Sequence, residues 1–186
     1  MRRQRPVLVV IGGFPGTGKS ALARRLSVEL AIPRLSSDRL GRTIRDGLDS
    51  PLKRGEAFHA GYDVLFTLAD DFLESGCSLL IDTSMGWDFQ WRRLDAIVAA
   101  RPDAVFLPII LRCSRQICTE RIAQRHQDSP TEAAPDQVLQ QPHIPELWHY
   151  LDILDRPDVR VIDASGPPDV VLGEARRCLA GHLPLN

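Results

Sequence analysis

The stretch Val7 to Ser20, VLVVIGGFPGTGKS, constrains this chain more than any other. It reads as an apolar strand, a glycine-rich turn and the start of a helix. Gly13, four further residues, Gly18, Lys19 and Ser20 match the G-x-x-x-x-G-K-[ST] phosphate-binding (Walker A) loop without a mismatch. Glycines let the backbone curl so that several N–H groups converge on one phosphate chain. The helix opening near Gly18 adds the positive end of its macrodipole. Lys19 has the reach for the β- and γ-phosphates, and the Ser20 hydroxyl suits Mg²⁺. The expected lining of a bound nucleotide is therefore Gly13, Phe14, Pro15, Gly16, Thr17, Gly18, Lys19, Ser20 and Ala21. A chance glycine-rich turn is the competing explanation, and the complete motif in its proper strand–helix context argues against it.

The remainder of the chain must then supply an α/β domain around that loop. At 186 residues a single domain, 1–186, is expected. Charge is nearly balanced, with 23 Lys+Arg against 24 Asp+Glu, so net charge selects neither a nucleic acid nor a membrane as partner. Four cysteines, Cys77, Cys113, Cys118 and Cys178, form no C-x-x-C pair and read as buried or inert thiols in a reducing compartment. The apolar run after the basic start Met1–Arg5 is too short for a signal-peptide core, and no transmembrane segment is evident; a cytoplasmic protein is expected.

Along the chain, Leu22, Leu26 and Leu30 recur at helical spacing and Pro33 closes that helix. Arg34 to Asp38 reads as a short strand ending on a carboxylate. Strand carboxyl ends line the ligand crevice of open α/β sheets, so Asp38 is placed either for chemistry or as the cap of the next helix. Arg39, Arg42 and Arg45 share one side of that helix, as a solvated face or an acid-reading one. Gly47 to Gly55 is turn-rich; Glu56 to Ser75 has a long helical stripe ended by Gly76. Cys77 to Asp82 is an apolar strand closing on an aspartate that suits a water-mediated Mg²⁺ contact.

Trp87 and Trp91 are expected to pack the next helix, which Arg101-Pro102 ends. Ala104 to Leu111 reads as a central strand in which Pro108 suggests a bulge or an edge. On the helix from Ser114, Arg121 and Arg125 share a face. They suit charge spreading over a transferring phosphoryl group, or else pair on the surface with Glu120 or Asp128. The proline-rich Asp128–Pro145 fits a lid or an ordinary irregular excursion, giving a lid-like segment at about 114–145. Val159–Asp163 is the last strand and Asp169–Leu183 the last helix. Five strands alternating with helices predict a parallel, three-layer α/β/α domain.

Taken in order, GGFPGTGKS, LSSDRL, LLIDTS and ERIAQRH resemble the P-loop kinases related to polynucleotide kinase, and in particular the ATP-binding AAA-33 family, with zeta toxin and chloramphenicol phosphotransferase as cousins. The likeness runs from Val7 to about Val171 and includes Tyr62 on the helix before the second aspartate and the segment SPTEA. It implies a P-loop NTPase fold with sheet order 2-3-1-4-5. It implies further that Asp38 orients and deprotonates an acceptor hydroxyl, and that Lys19, Ser20 and the Gly13–Gly18 backbone hold ATP and Mg²⁺. Arg121 and Arg125 would act on the phosphates from the lid, and Asp82 would lie near the metal or the acceptor. Relatives usually carry an Arg three residues after the catalytic Asp; here that position is Gly41, flanked by Arg39 and Arg42.

The expected activity is transfer of the ATP γ-phosphate to a hydroxyl of a small molecule. A kinase of nucleic-acid 5′-hydroxyl ends and an ATPase switch without an acceptor are the alternatives. No basic stripe interleaved with aromatics calls for nucleic acid.

Overall fold

The computed structural model describes residues 5–47, 54–129 and 134–183. The turn-rich stretch expected at 47–55 and the SPTEA segment fall largely outside them. At the centre stands β1 (Val7–Gly13), buried along its whole length. It belongs to a five-stranded parallel sheet with β2 (Arg34–Ser36), β3 (Leu79–Asp82), β4 (Val105–Arg112) and β5 (Arg160–Asp163), in the order β2-β3-β1-β4-β5. Val9 lies opposite Leu80 on one side and Leu107 on the other. This is the P-loop NTPase topology, order 2-3-1-4-5.

A strand with helices on both faces has no solvated side, which is why β1 is apolar at consecutive positions. Alternation sends its side chains to two separate cores. Leu8 and Val10 pack with α3 (Arg54–Glu74), α4 (Asp88–Ala100) and α7 (Ile144–Ile153), through Leu65, Leu94, Leu147 and Trp148 among others. Val7, Val9 and Ile11 pack with Leu22 and Leu26 of α1 (Lys19–Glu29) and with Val171, Leu172 and Ala175 of α8 (Pro168–Leu179). The remaining helices are α2 (Ser37–Gly47), α5 (Arg115–Asp128) and the short α6 (Pro135–Leu139). No helix among the described residues is long and apolar enough to cross a membrane.

Four expectations change. The third strand starts at Leu79 rather than Cys77, because α3 ends in a Schellman cap. Gly76 takes φ 76° and donates to the Leu73 carbonyl, while the Cys77 N–H donates to that of Phe72. Cys77 is consequently exposed, not buried. Pro108 makes neither a bulge nor an edge. The Val105 N–H donates to Pro6 of the β1 side, so by alternation the Pro108 nitrogen faces β5, whose ladder starts only at Ile109 opposite Arg160. Lastly, α7 was not anticipated from the proline-rich segment, although Ile144, Leu147, Trp148 and Leu151 recur at helical spacing and all four are buried.

Candidate active site

The phosphate loop spans the gap between β1 and α1. Gly13, Gly16 and Gly18 take φ of 143°, 92° and 90°, which side chains rarely adopt. Gly16 has a second constraint: a Cβ there would stand 2.5 Å from the Cys118 carbonyl oxygen. Gly18, by contrast, is exposed and has no heavy atom within 4 Å of such a Cβ, so the loop is open on that side. The Thr17 hydroxyl donates to the Phe14 carbonyl at 2.8 Å and ties the curl internally. The Gly13 N–H donates to the Ser84 carbonyl at 3.0 Å, which joins the loop to the end of β3. Behind it Phe14 meets Trp148 of α7 edge-on, at a centroid separation of 4.1 Å.

At the floor, the Ser20 hydroxyl donates to Asp82 Oδ1 at 3.2 Å. Asp82 ends β3 and is only 2% exposed. Its second oxygen accepts from the Arg34 guanidinium at 3.0 Å, an ion pair linking β2 to β3. Burial pushes the Asp82 carboxyl above its ordinary value, the Lys19 charge, the Ser20 hydrogen bond and Arg34 pull it down, and Asp38 pushes it up. Two hard oxygen donors, one hydroxyl and one carboxylate, thus meet beside the first turn of α1. That donor set fits Mg²⁺, which takes few protein oxygens and keeps waters and phosphate oxygens for the rest.

Arg34 was missed in the sequence. The available signal was a cation inside a short strand of a parallel sheet, where only a buried partner makes it tolerable.

Asp38 lies elsewhere than expected. Strand β2 stops at Ser36, and Asp38 stands in the first turn of α2, exposed, where a carboxylate complements the helix dipole. Its charge acts on both Asp82 and Tyr62, so it stands near both. The Arg42 guanidinium donates to the Asp38 carbonyl, and Arg45 pairs with Asp46, both at the exposed surface. A buried polar cluster adjoins them. Burial raises the Tyr62 phenol above its ordinary value, offset by hydrogen bonds with Ser84, Thr83 and Ser37 and reinforced by the charge of Asp38. Gln90 donates to the Thr83 and Ser84 hydroxyls at 3.1 and 3.4 Å, while its own carbonyl oxygen is buried with no protein partner.

Gly41, where relatives carry Arg, has a packing reason. A Cβ at Gly41 would meet the Phe58 ring at 2.9 Å, and one at Gly61 would meet the Gly41 nitrogen at 2.8 Å. The backbones of α2 and α3 touch there, which leaves no room for a side chain.

Arg121 is engaged on a different element from either one foreseen. It donates to the carbonyls of Ala164 (2.7 Å), Ser165 (3.3 Å) and Gly166 (3.2 Å) in the β5–α8 turn. Glu120 and Asp128 take Gln116 and Gln124 instead. Arg125 lies one turn further along α5 and is exposed.

Among solved structures, the chain is similar to a candidate kinase from Chloroflexus aurantiacus, with 22% identity and a TM-score of 0.69 over 97% of this chain and 100% of that one. It is similar to a gluconokinase from Sinorhizobium meliloti 1021, with 19% identity and a TM-score of 0.59 over 96% and 94% of the two chains. A sugar kinase from Janibacter sp. HTCC2649 shares 21% identity and a TM-score of 0.64 over 94% of each. These likenesses establish the fold. No curated protein matches the sequence. The AAA-33 family profile, described as an AAA domain, matches residues 8–143, and with the loop, the paired Ser20 and Asp82 and the 2-3-1-4-5 sheet in place, the chain belongs to that family.

Proposed function

We propose that this protein is an ATP-dependent kinase that transfers the γ-phosphate to a hydroxyl of a small molecule. What supports the reading most is a complete phosphate loop whose Ser20 meets Asp82, with the exposed carboxylate of Asp38 near enough for its charge to act on Asp82. Phosphoryl transfer asks for in-line placement, charge neutralisation and a proton acceptor, and little else. Loop N–H groups from Gly13 to Gly18 and the Lys19 ammonium would hold the β- and γ-phosphates, with Phe14, Pro15, Thr17 and Ala21 shaping the cradle. Ser20 and Asp82 would hold Mg²⁺, which when bound neutralises phosphate charge. Asp38 would accept the proton of the acceptor hydroxyl as its oxygen bonds to phosphorus and ADP leaves. Arg125, and Arg121 if it exchanges its carbonyl partners, would come onto the phosphates from the lid-like segment. Structural neighbours described as a gluconokinase and a sugar kinase support a small polyhydroxylated acceptor over a nucleic-acid end.

ADP release measured across sugars, sugar acids, nucleosides, hydroxyl-bearing antibiotics and 5′-hydroxyl oligonucleotides tests this. Slow hydrolysis alone and a marked acceleration by one small polyol is the expected result. A constant rate indifferent to every acceptor would favour an ATPase switch, and acceleration by oligonucleotides alone would favour end repair.

A further inference from the structure

Two of the four cysteines meet directly behind the phosphate loop. Cys113 follows the last residue of β4 and Cys118 lies in the second turn of α5, and their sulfurs are 3.3 Å apart. We propose that Cys113 and Cys118 form a redox modification site, in which a hydroperoxide converts the thiol pair to a disulfide and thereby displaces the phosphate loop.

The geometry distinguishes the two sulfurs. Cys118 is fully buried and Cys113 half-buried, so a small oxidant reaches Cys113 first. Burial, together with the neighbouring Cys113, pushes the Cys118 thiol up to about 12, so it waits as a protonated S–H. Arg121 and Lys19 bring positive charge towards the pair. In the first step the Cys113 thiolate attacks one peroxide oxygen; the O–O bond breaks, the other oxygen leaves as water after taking a proton, and Cys113 becomes a sulfenic acid. In the second, the Cys118 sulfur attacks that of Cys113 and the S–O bond breaks. The departing hydroxide takes the Cys118 proton. In sum, two thiols and one hydrogen peroxide give one disulfide and two waters, the thiols losing two electrons to the peroxide.

Closing the sulfurs to about 2.05 Å draws the second turn of α5 towards the end of β4. The Cys118 backbone is the surface on which Gly16 rests, so close that a Cβ on Gly16 would stand 2.5 Å from its carbonyl oxygen. A shift there leaves the curl of the loop no slack. Cys113 and Cys118 do not form a C-x-x-C motif, which is why their pairing is invisible in the sequence. Cys77 is exposed and Cys178 packs against the other core, beside α1 and α8, so neither substitutes for them.

The consequence for nucleotide rests on the ATP-binding reading above; the disulfide itself does not. The test treats full-length protein with hydrogen peroxide, maps cross-linked tryptic peptides by mass spectrometry, and measures ATP–Mg²⁺ affinity by calorimetry before oxidation, after it and after dithiothreitol. Expected are a Cys113–Cys118 cross-link with Cys77 and Cys178 free, and affinity lowered about tenfold or more and restored by reduction. Cys118→Ser should stop at a Cys113 sulfenic acid that dimedone traps, and Cys113→Ser should keep its affinity under peroxide. Unlinked Cys113 and Cys118, a cross-link through Cys77 or Cys178, or a linked protein with unchanged affinity would overturn the proposal. Failure of the reduced protein to bind ATP would instead count against the kinase reading, and the peptide map would still decide the disulfide.

Discussion

The phosphate loop and the arginine-bearing helix α5 pack directly against each other and are built on opposite principles. Loop residues act where the chain places them: glycines at positive φ, Lys19 and Ser20 at the first turn of α1. Arg121 acts through residues some forty positions away, on the carbonyls of the β5–α8 turn. Contiguous chemistry survives reading as a string of letters. Chemistry assembled across the fold depends on which distant carbonyl or carboxylate arrives, and side-chain type alone does not decide it.

Substitutions sharpen that contrast. Lys19→Ala should cost most, lowering ATP–Mg²⁺ affinity in calorimetry by about 10²-fold, the ~3 kcal/mol expected when a partner of a desolvated charge pair is removed. Retained affinity would detach Lys19 from the phosphates. Gly16→Ala should follow, since it forces a strained φ and a Cβ onto the Cys118 carbonyl; a loss of about 2 kcal/mol or more in denaturant unfolding is expected. On α5, Arg121→Ala should destabilise the fold by about 2 kcal/mol, because three carbonyls in the β5–α8 turn lose a charged donor. Arg125→Ala should lower kcat more than it lowers nucleotide affinity. An Arg125→Ala variant with wild-type kcat would remove Arg125 from the transfer step.

The smallest effect concerns Tyr62. Its phenol is held above the ordinary value chiefly by burial, so the folded protein keeps that proton after the unfolded chain has released it. Stability from this group is full below about pH 10 and is lost as pH rises through the folded value. Tyr62→Phe should cost about 1 kcal/mol at neutral pH and show a flatter decline of melting temperature at alkaline pH.

Legibility tracked the same division. The apolar run of β1, the glycines and the leucine spacing of α1 are local, and the sheet order came with the family likeness that the loop made visible. Asp38 was seen but misplaced, because a three-residue strand and a helix starting at Ser37 differ by a single turn of backbone. Arg34 went unnoticed because its partner, Asp82, lies 48 residues on. Gly41, where relatives usually carry Arg, gives no reason for the difference in the sequence. The close approach of Gly61 and Phe58 makes the glycine a packing requirement of α2 against α3, which no single segment announces.

The central claim is that Asp38 serves transfer and the loop serves binding. Asp38→Asn separates them most directly, with ATP–Mg²⁺ affinity and acceptor phosphorylation measured on the same preparation. The account predicts affinity within about twofold of wild type and a kcat for transfer lowered about 10²-fold or more, as for a lost general base. Wild-type transfer by the variant would contradict it and reduce Asp38 to a residue that complements the dipole of α2.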